Sequence, residues 1–130
     1  MKILFVCIEN AGRSQLAQAF ARKWAPPGIE AFSAGSKPAS SVHPVAVDAL
    51  REKGIDIRGE IPKGFGDLPE GPFDLVIGMG CGDACPVTRA RKVLNWEIPN
   101  PKGQPLEEVR LIRDDIESRV RALLEELATS

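Results

Sequence analysis

A cysteine, five residues, an arginine and a serine, Cys7-Ile8-Glu9-Asn10-Ala11-Gly12-Arg13-Ser14, stand between the apolar run Ile3-Leu4-Phe5-Val6 and the segment Leu16-Ala17-Gln18-Ala19-Phe20-Ala21. A short continuous apolar run reads as a strand buried on both faces of a parallel sheet. Leu16, Phe20 and Trp24 lie four apart, with Ala17 and Ala21 beside them, so the following segment reads as a helix with one face on that sheet. Loop N–H groups and the positive end of the helix dipole then converge on one point, where a tetrahedral dianion fits and a Cys7 thiolate is stabilised.

The rest of the chain repeats the strand-then-helix alternation. Pro26-Pro27-Gly28 stops the first helix. Ile29 to Ser33 reads as a second strand, and Ala34 to Ser41 as a loop of small residues bordering a site. A helix is expected from Pro44 to about Lys53, with Ser41 or His43 at its start and Gly54 past its end. Residues 54 to 72, rich in glycine and proline, read as a turn-rich connection or a brief helical turn. Phe73 to Met79 is the third strand, running into Gly80-Cys81-Gly82-Asp83-Ala84-Cys85-Pro86, and Lys92 to Leu94 the fourth. After a proline-rich loop from Trp96 to Pro105, Leu106, Val109, Ile112, Ile116, Val120, Leu123 and Leu127 step by three or four through a final helix. The expected fold class is α/β: a single domain over residues 1–130, with a parallel four-stranded sheet flanked by helices and right-handed crossovers. Ligands of such sheets bind at the carboxyl ends of the strands, where Cys7 and the Cys81 to Cys85 loop both fall.

Composition narrows the partners. Lys and Arg number 17 against 18 Asp and Glu, spread along the chain, so neither nucleic acid nor an anionic membrane is expected as a partner. The amino-terminal apolar run is too short for a signal peptide or a membrane span. Three cysteines without an export signal point to a reducing cytoplasm and to thiols that are reactive or buried, not to a disulfide framework. Tyrosine is absent and aromatics are sparse, which favours a small polar ligand over a stacked base or sugar.

A nucleophilic Cys7 needs N–H donors, Arg13 and the Ser14 hydroxyl, because a free thiol is mostly protonated at neutral pH. Arg13 offers a planar fork that grips two oxygens of a tetrahedral anion, which lysine cannot do. Ile8, Glu9, Asn10, Ala11, Gly12 and Arg13 form the oxyanion-binding loop. In it Gly12 allows close backbone approach or positive φ, and Asn10 tolerates left-handed geometry and can tie the loop by side-chain hydrogen bonds. The bland reading makes Cys7 a core residue and Arg13 a solvated one.

Cys7-x-x-Asn10-x-x-Arg13-Ser14, the Ser33-Ala34-Gly35-Ser36 segment and the late loop before a final helix resemble the low-molecular-weight protein tyrosine phosphatase superfamily along essentially the whole chain. Gln15, where phosphatases of this fold usually have proline, and the second cysteine loop resemble its arsenate reductase branch. The resemblance implies reduction of arsenate to arsenite, a function of arsenical resistance. Cys7 attacks arsenate held by the loop and Arg13, Cys81 resolves the adduct as a Cys7–Cys81 disulfide, and Cys85 then forms a Cys81–Cys85 disulfide that thioredoxin reduces. No cofactor and no metal are implied.

The chain also departs from that pattern. The three-residue gap between Cys81 and Cys85 is similar to reductases that use a low-molecular-weight thiol such as mycothiol. Asn100 occupies the late-loop position of the general acid, and an amide cannot supply that proton; Glu97 is either its substitute or a solvated carboxylate. Glu9 would oppose a dianion unless it points outward, and Gln18 stands where related reductases often carry a cation-binding Glu. His43 reads as a helix-start or surface residue, and Trp24 and Trp96 as packing residues. Cys81 and Cys85 could instead be inert thiols or, with too few ligands, a zinc pair. A phosphotyrosine or small phosphomonoester hydrolase, and an oxyanion-binding or thiol-sensing module, stand as competing functions.

Overall fold

The structure, a computed structural model of the chain, describes residues 1–69, 72–80 and 90–129. The described elements are β1 (Lys2–Cys7), α1 (Arg13–Trp24), β2 (Glu30–Gly35), α2 (Pro44–Arg51), a 3-10 turn (Phe65–Asp67), β3 (Phe73–Gly78), β4 (Ala90–Asn95) and α3 (Leu106–Thr129). All strands are parallel, in the order β2-β1-β3-β4, as the α/β reading requires.

Period-two alternation in β1 divides the core. Ile3, Phe5 and Cys7 point to the side where Leu16 and Phe20 of α1, Leu50 of α2 and Ile112, Ile116 and Val120 of α3 pack. Leu4 and Val6 point the other way, against Val76, Phe73, Phe32 and the Phe65 and Leu68 side chains of the turn region. The continuous apolar run of β1 follows from this double burial.

Helix α1 departs from its expected one-faced form. Every residue from Arg13 to Ala21 is buried, because α1 lies among β1, β2, α2 and α3. Only its last turn emerges, so Trp24, expected to pack, is 40% exposed. Its ring is covered by the Arg121 guanidinium at 4.3 Å and its indole N–H donates to Glu117 at 3.2 Å. Trp96 does pack, with its ring 6.1 Å from that of Phe5.

Helices α2 and α3 are joined by charge. Arg113 of α3, almost fully buried, donates to the Ala49 carbonyl (3.1 Å) and to Glu52 (2.7 Å), and Arg110 also pairs with Glu52 at 2.7 Å. The Arg110 hydrogen bond, with Arg113 adding to it against desolvation, lowers the Glu52 carboxyl from 4.5 to about 2. Among the described residues no helix is long and apolar enough to cross a membrane.

A carboxyl held lower in the folded chain stabilises the fold above its unfolded value and loses that contribution as pH falls through its folded value. Between pH 4.5 and about 2 the wild-type melting temperature should therefore fall more steeply than that of Glu52→Gln, whose own deficit should be largest near neutrality. Parallel curves in thermal denaturation across that window would count against the link.

Candidate active site

The loop from Cys7 to Gly12 turns its carbonyl groups outward. Ser36, Lys37, Ala39 and His43 donate their backbone N–H to the carbonyls of Cys7 (3.3 Å), Ile8 (2.8 Å), Glu9 (3.0 Å) and Ala11 (2.8 Å). The Gln15 amide donates to the Asn10 carbonyl (3.1 Å) and the Leu16 N–H to that of Gly12 (3.0 Å). With every carbonyl of the loop held outside, the N–H groups are free to face inward. Those of Glu9, Ala11, Gly12 and Arg13 have no protein acceptor among the described residues. Helix α1 begins at the same point without a side-chain cap and without an acidic residue in its first turn, leaving its positive end uncompensated.

Asn10 holds this curvature. It is buried in the left-handed region at φ 52°, which asparagine tolerates better than most residues. Its amide donates to Ser14 Oγ at 2.7 Å, and its Oδ1 accepts from Gln15 Nε2 (3.0 Å) and the Lys63 N–H (2.8 Å). Of the two roles open to Gly12, the structure shows close approach and not positive φ: Gly12 has φ −138°, and a β-carbon there would lie 2.8 Å from Pro101 Cγ. Gly35 is needed for the same reason, as its β-carbon would meet the Ile8 carbonyl oxygen at 2.5 Å and the Asn10 nitrogen at 2.8 Å. The sequence reading gave Gly35 no such role.

Cys7 lies at the base. Its Sγ is 2.9 Å from Ser14 Oγ and accepts the Asn10 N–H at 3.3 Å. Because Asn10 Nδ2 donates to Ser14 Oγ, the Ser14 proton is free to point at sulfur and hydrogen-bond to it. Above the base a pocket of about 50 Å³ is lined by Cys7, Ile8, Glu9, Gly12, Arg13, His43 and Asn100. That is room for a small ion, since a cavity holds a water once it offers about 10–15 Å³ of such volume.

Arg13 is only 8% exposed, and no carboxylate among the described residues pairs with it. One guanidinium nitrogen donates to the Ile98 carbonyl at 3.2 Å. A β-carbon on Gly80, which has φ +95°, would run into that guanidinium, so Gly80 itself lies against Arg13. Burying a cation without a counter-charge is costly, and a bound anion removes the cost.

The remaining candidates are distributed around this centre. Asn100 is on the pocket wall, its Oδ1 accepting the Lys102 N–H at 3.0 Å, while Glu97 is exposed and does not line the pocket. Gln18 accepts a hydrogen bond from Ser33 at 2.8 Å. Cys81 and Cys85 lie outside the described residues. His43 does begin α2, and it also lines the pocket. Its imidazole pKa is lowered by burial and by Lys102, against an opposing effect of Glu9.

Three comparisons place this chain among known proteins. The low molecular weight phosphotyrosine protein phosphatase family matches residues 2–130. The chain belongs to that family. Within it, the chain is 33% identical to a glutaredoxin arsenate reductase of Synechocystis sp., over 98% of each chain. The structure of a Corynebacterium glutamicum thioredoxin-dependent arsenate reductase superposes with a TM-score of 0.79 at 36% identity, covering 98% of this chain and 62% of that one. A Geobacillus stearothermophilus arginine phosphatase gives a TM-score of 0.82 at 28% identity, over 98% and 93% of the two chains. One fold thus occurs in relatives named for two chemistries.

Asn10→Ala should lower stability by about 2–4 kcal/mol, combining lost buried hydrogen bonds with left-handed strain. Asn10→Gly, free of the strain, should recover about 1 kcal/mol of that in urea unfolding. Equal midpoints for the two variants would show that the backbone there is not strained.

Proposed function

We propose that this protein reduces arsenate to arsenite, with Cys7 as nucleophile. The observation that carries the reading is a buried Arg13 with no carboxylate partner among the described residues, facing a pocket with the Cys7 thiol at its base. A tetrahedral oxyanion supplies the missing negative charge, and the inward N–H groups and Arg13 hold it through the charge build-up of attack.

Cys7 Sγ attacks arsenic, forming a sulfur–arsenic bond while one arsenate oxygen leaves with a proton. The Cys81 thiolate then attacks Cys7 Sγ. A disulfide forms, the sulfur–arsenic electron pair stays on arsenic, and arsenite departs two electrons richer. Cys85 displaces Cys7 from Cys81, and an external thiol reduces the Cys81–Cys85 disulfide. Thioredoxin is the proposed donor, in line with the Corynebacterium relative's name; the short gap between the cysteines makes mycothiol the alternative. Ser14 stabilises the Cys7 thiolate throughout.

A phosphatase reading draws on the Geobacillus relative. Asn100 weighs against it, because cleaving a phosphate ester expels an alkoxide or phenoxide that needs a proton from an acid on this wall, and an amide has none to give. Displacement of hydroxide followed by thiol exchange depends less on that acid.

Cys7→Ser should abolish arsenate-dependent consumption of reductant. Arg13→Lys should lower kcat/KM on the order of a hundredfold, because the bidentate grip is lost. Cys81→Ser should stop turnover with thioredoxin while arsenate still consumes the Cys7 thiol, followed by peptide-resolved mass spectrometry. Full turnover of that variant with thioredoxin would sink the relay, and turnover with mycothiol alone would replace the donor. Efficient hydrolysis of para-nitrophenyl phosphate, with no reductant used in the presence of arsenate, would favour the phosphatase.

A further inference from the structure

Glu9 is an acidic residue in the lining of the candidate anion pocket, where its charge alone would oppose binding. The structure does not aim it clear of the site. It lines the pocket together with Cys7 and Arg13, and its two carboxylate oxygens each have a basic neighbour. Oε1 lies 3.1 Å from Lys102 Nζ on the late loop, and Oε2 lies 3.4 Å from His43 Nε2 at the start of α2. Lys102 is fixed in turn, its backbone N–H bonded to Asn100 Oδ1 at 3.0 Å, and Pro101 beside it packs on Gly12. The carboxylate is therefore positioned at the mouth of the pocket with its charge partly balanced.

An ionised carboxylate only accepts hydrogen bonds, and each of its oxygens can accept more than one. A tetrahedral dianion held by Arg13 and the loop N–H groups through three of its oxygens presents the fourth toward the mouth. In arsenate or phosphate near neutral pH that oxygen carries a proton and can donate. In sulfate it carries none, and in an organic monoester it carries carbon. Facing Glu9, the last two leave lone pairs opposed to lone pairs at a site with little room to separate them.

Resting on the oxyanion reading of the cradle, we propose that Glu9 is a specificity-determining residue whose carboxylate, positioned by Lys102 and His43, accepts the remaining O–H of a singly protonated tetrahedral dianion and so excludes sulfate and organic monoesters. The same contact answers why an acidic residue is compatible with an anion-binding loop. Its role is recognition of a proton on the ligand, leaving the attack on that ligand to Cys7.

The test is protection of Cys7 from iodoacetamide at pH 7.5 and constant ionic strength, read by peptide-resolved mass spectrometry, with inorganic phosphate, sulfate and phenyl phosphate as probes. In the wild type, half-protection by sulfate or phenyl phosphate should need at least about tenfold more ligand than by phosphate. Glu9→Gln, whose amide N–H can donate to an unprotonated oxygen, should bring sulfate within about threefold of phosphate, and Glu9→Asp should retain the preference for phosphate. Equal protection by phosphate and sulfate in the wild type, or an unchanged ratio in Glu9→Gln, would overturn the proposal while leaving the cradle intact. Failure of phosphate to protect wild-type Cys7 at any concentration would instead overturn the oxyanion reading beneath it.

Discussion

An anion cradle made of backbone needs its N–H groups on one side, and the chain can arrange that only if the carbonyls find donors on the other. In this protein the segment from Ser36 to His43 supplies most of those donors and the Gln15 side chain another. The loop, the end of β2, the start of α2 and the start of α1 are therefore parts of one hydrogen-bonded object. Asn10 sits at its centre, its left-handed backbone turning the chain while its side chain reaches Ser14, Gln15 and Lys63. N–H groups without an acceptor among the described residues, an uncapped helix start and a buried guanidinium then accumulate positive potential in a space of small-ion size.

The late loop closes this cradle into a pocket. Ile98 accepts from Arg13, Pro101 packs on Gly12, and Lys102 reaches Glu9, so three consecutive contacts hold the loop against the anion-binding segment. Asn100 comes to the wall through this docking. Its amide fits a chemistry that ends in thiol exchange better than one that must protonate a leaving alkoxide. Gly80 is held against the Arg13 guanidinium, because any side chain there would displace it.

Much of the fold was legible from pattern. The double burial of Ile3 to Val6, the Pro-Pro-Gly stop after α1 and the spacing of Val109, Ile112, Ile116 and Val120 each record a local constraint. Trp24 was misread because a helical stripe says which residues align, while exposure depends on where the neighbouring elements end. The positive φ went to Asn10 and not Gly12, since the two glycine signals, torsional freedom and close approach, look alike in sequence and only Pro101 distinguishes them. His43 and Gly35 gave no clear signal, as both act on loop residues distant in the chain.

The sequence by itself determined the thiol, arginine and hydroxyl at the mouth of a parallel sheet, because strand and helix periodicities and a short connecting loop leave few other placements. Only the tertiary structure decided what surrounds them. The carbonyls point outward because of donors from residues 36 to 43, and Arg13 lacks a carboxylate partner among the described residues because of how the late loop docks. Glu9 stands at the pocket mouth because Lys102 and His43, 93 and 34 residues further along the chain, meet it there. Such meetings arise from packing between elements, and no local pattern along the chain encodes them.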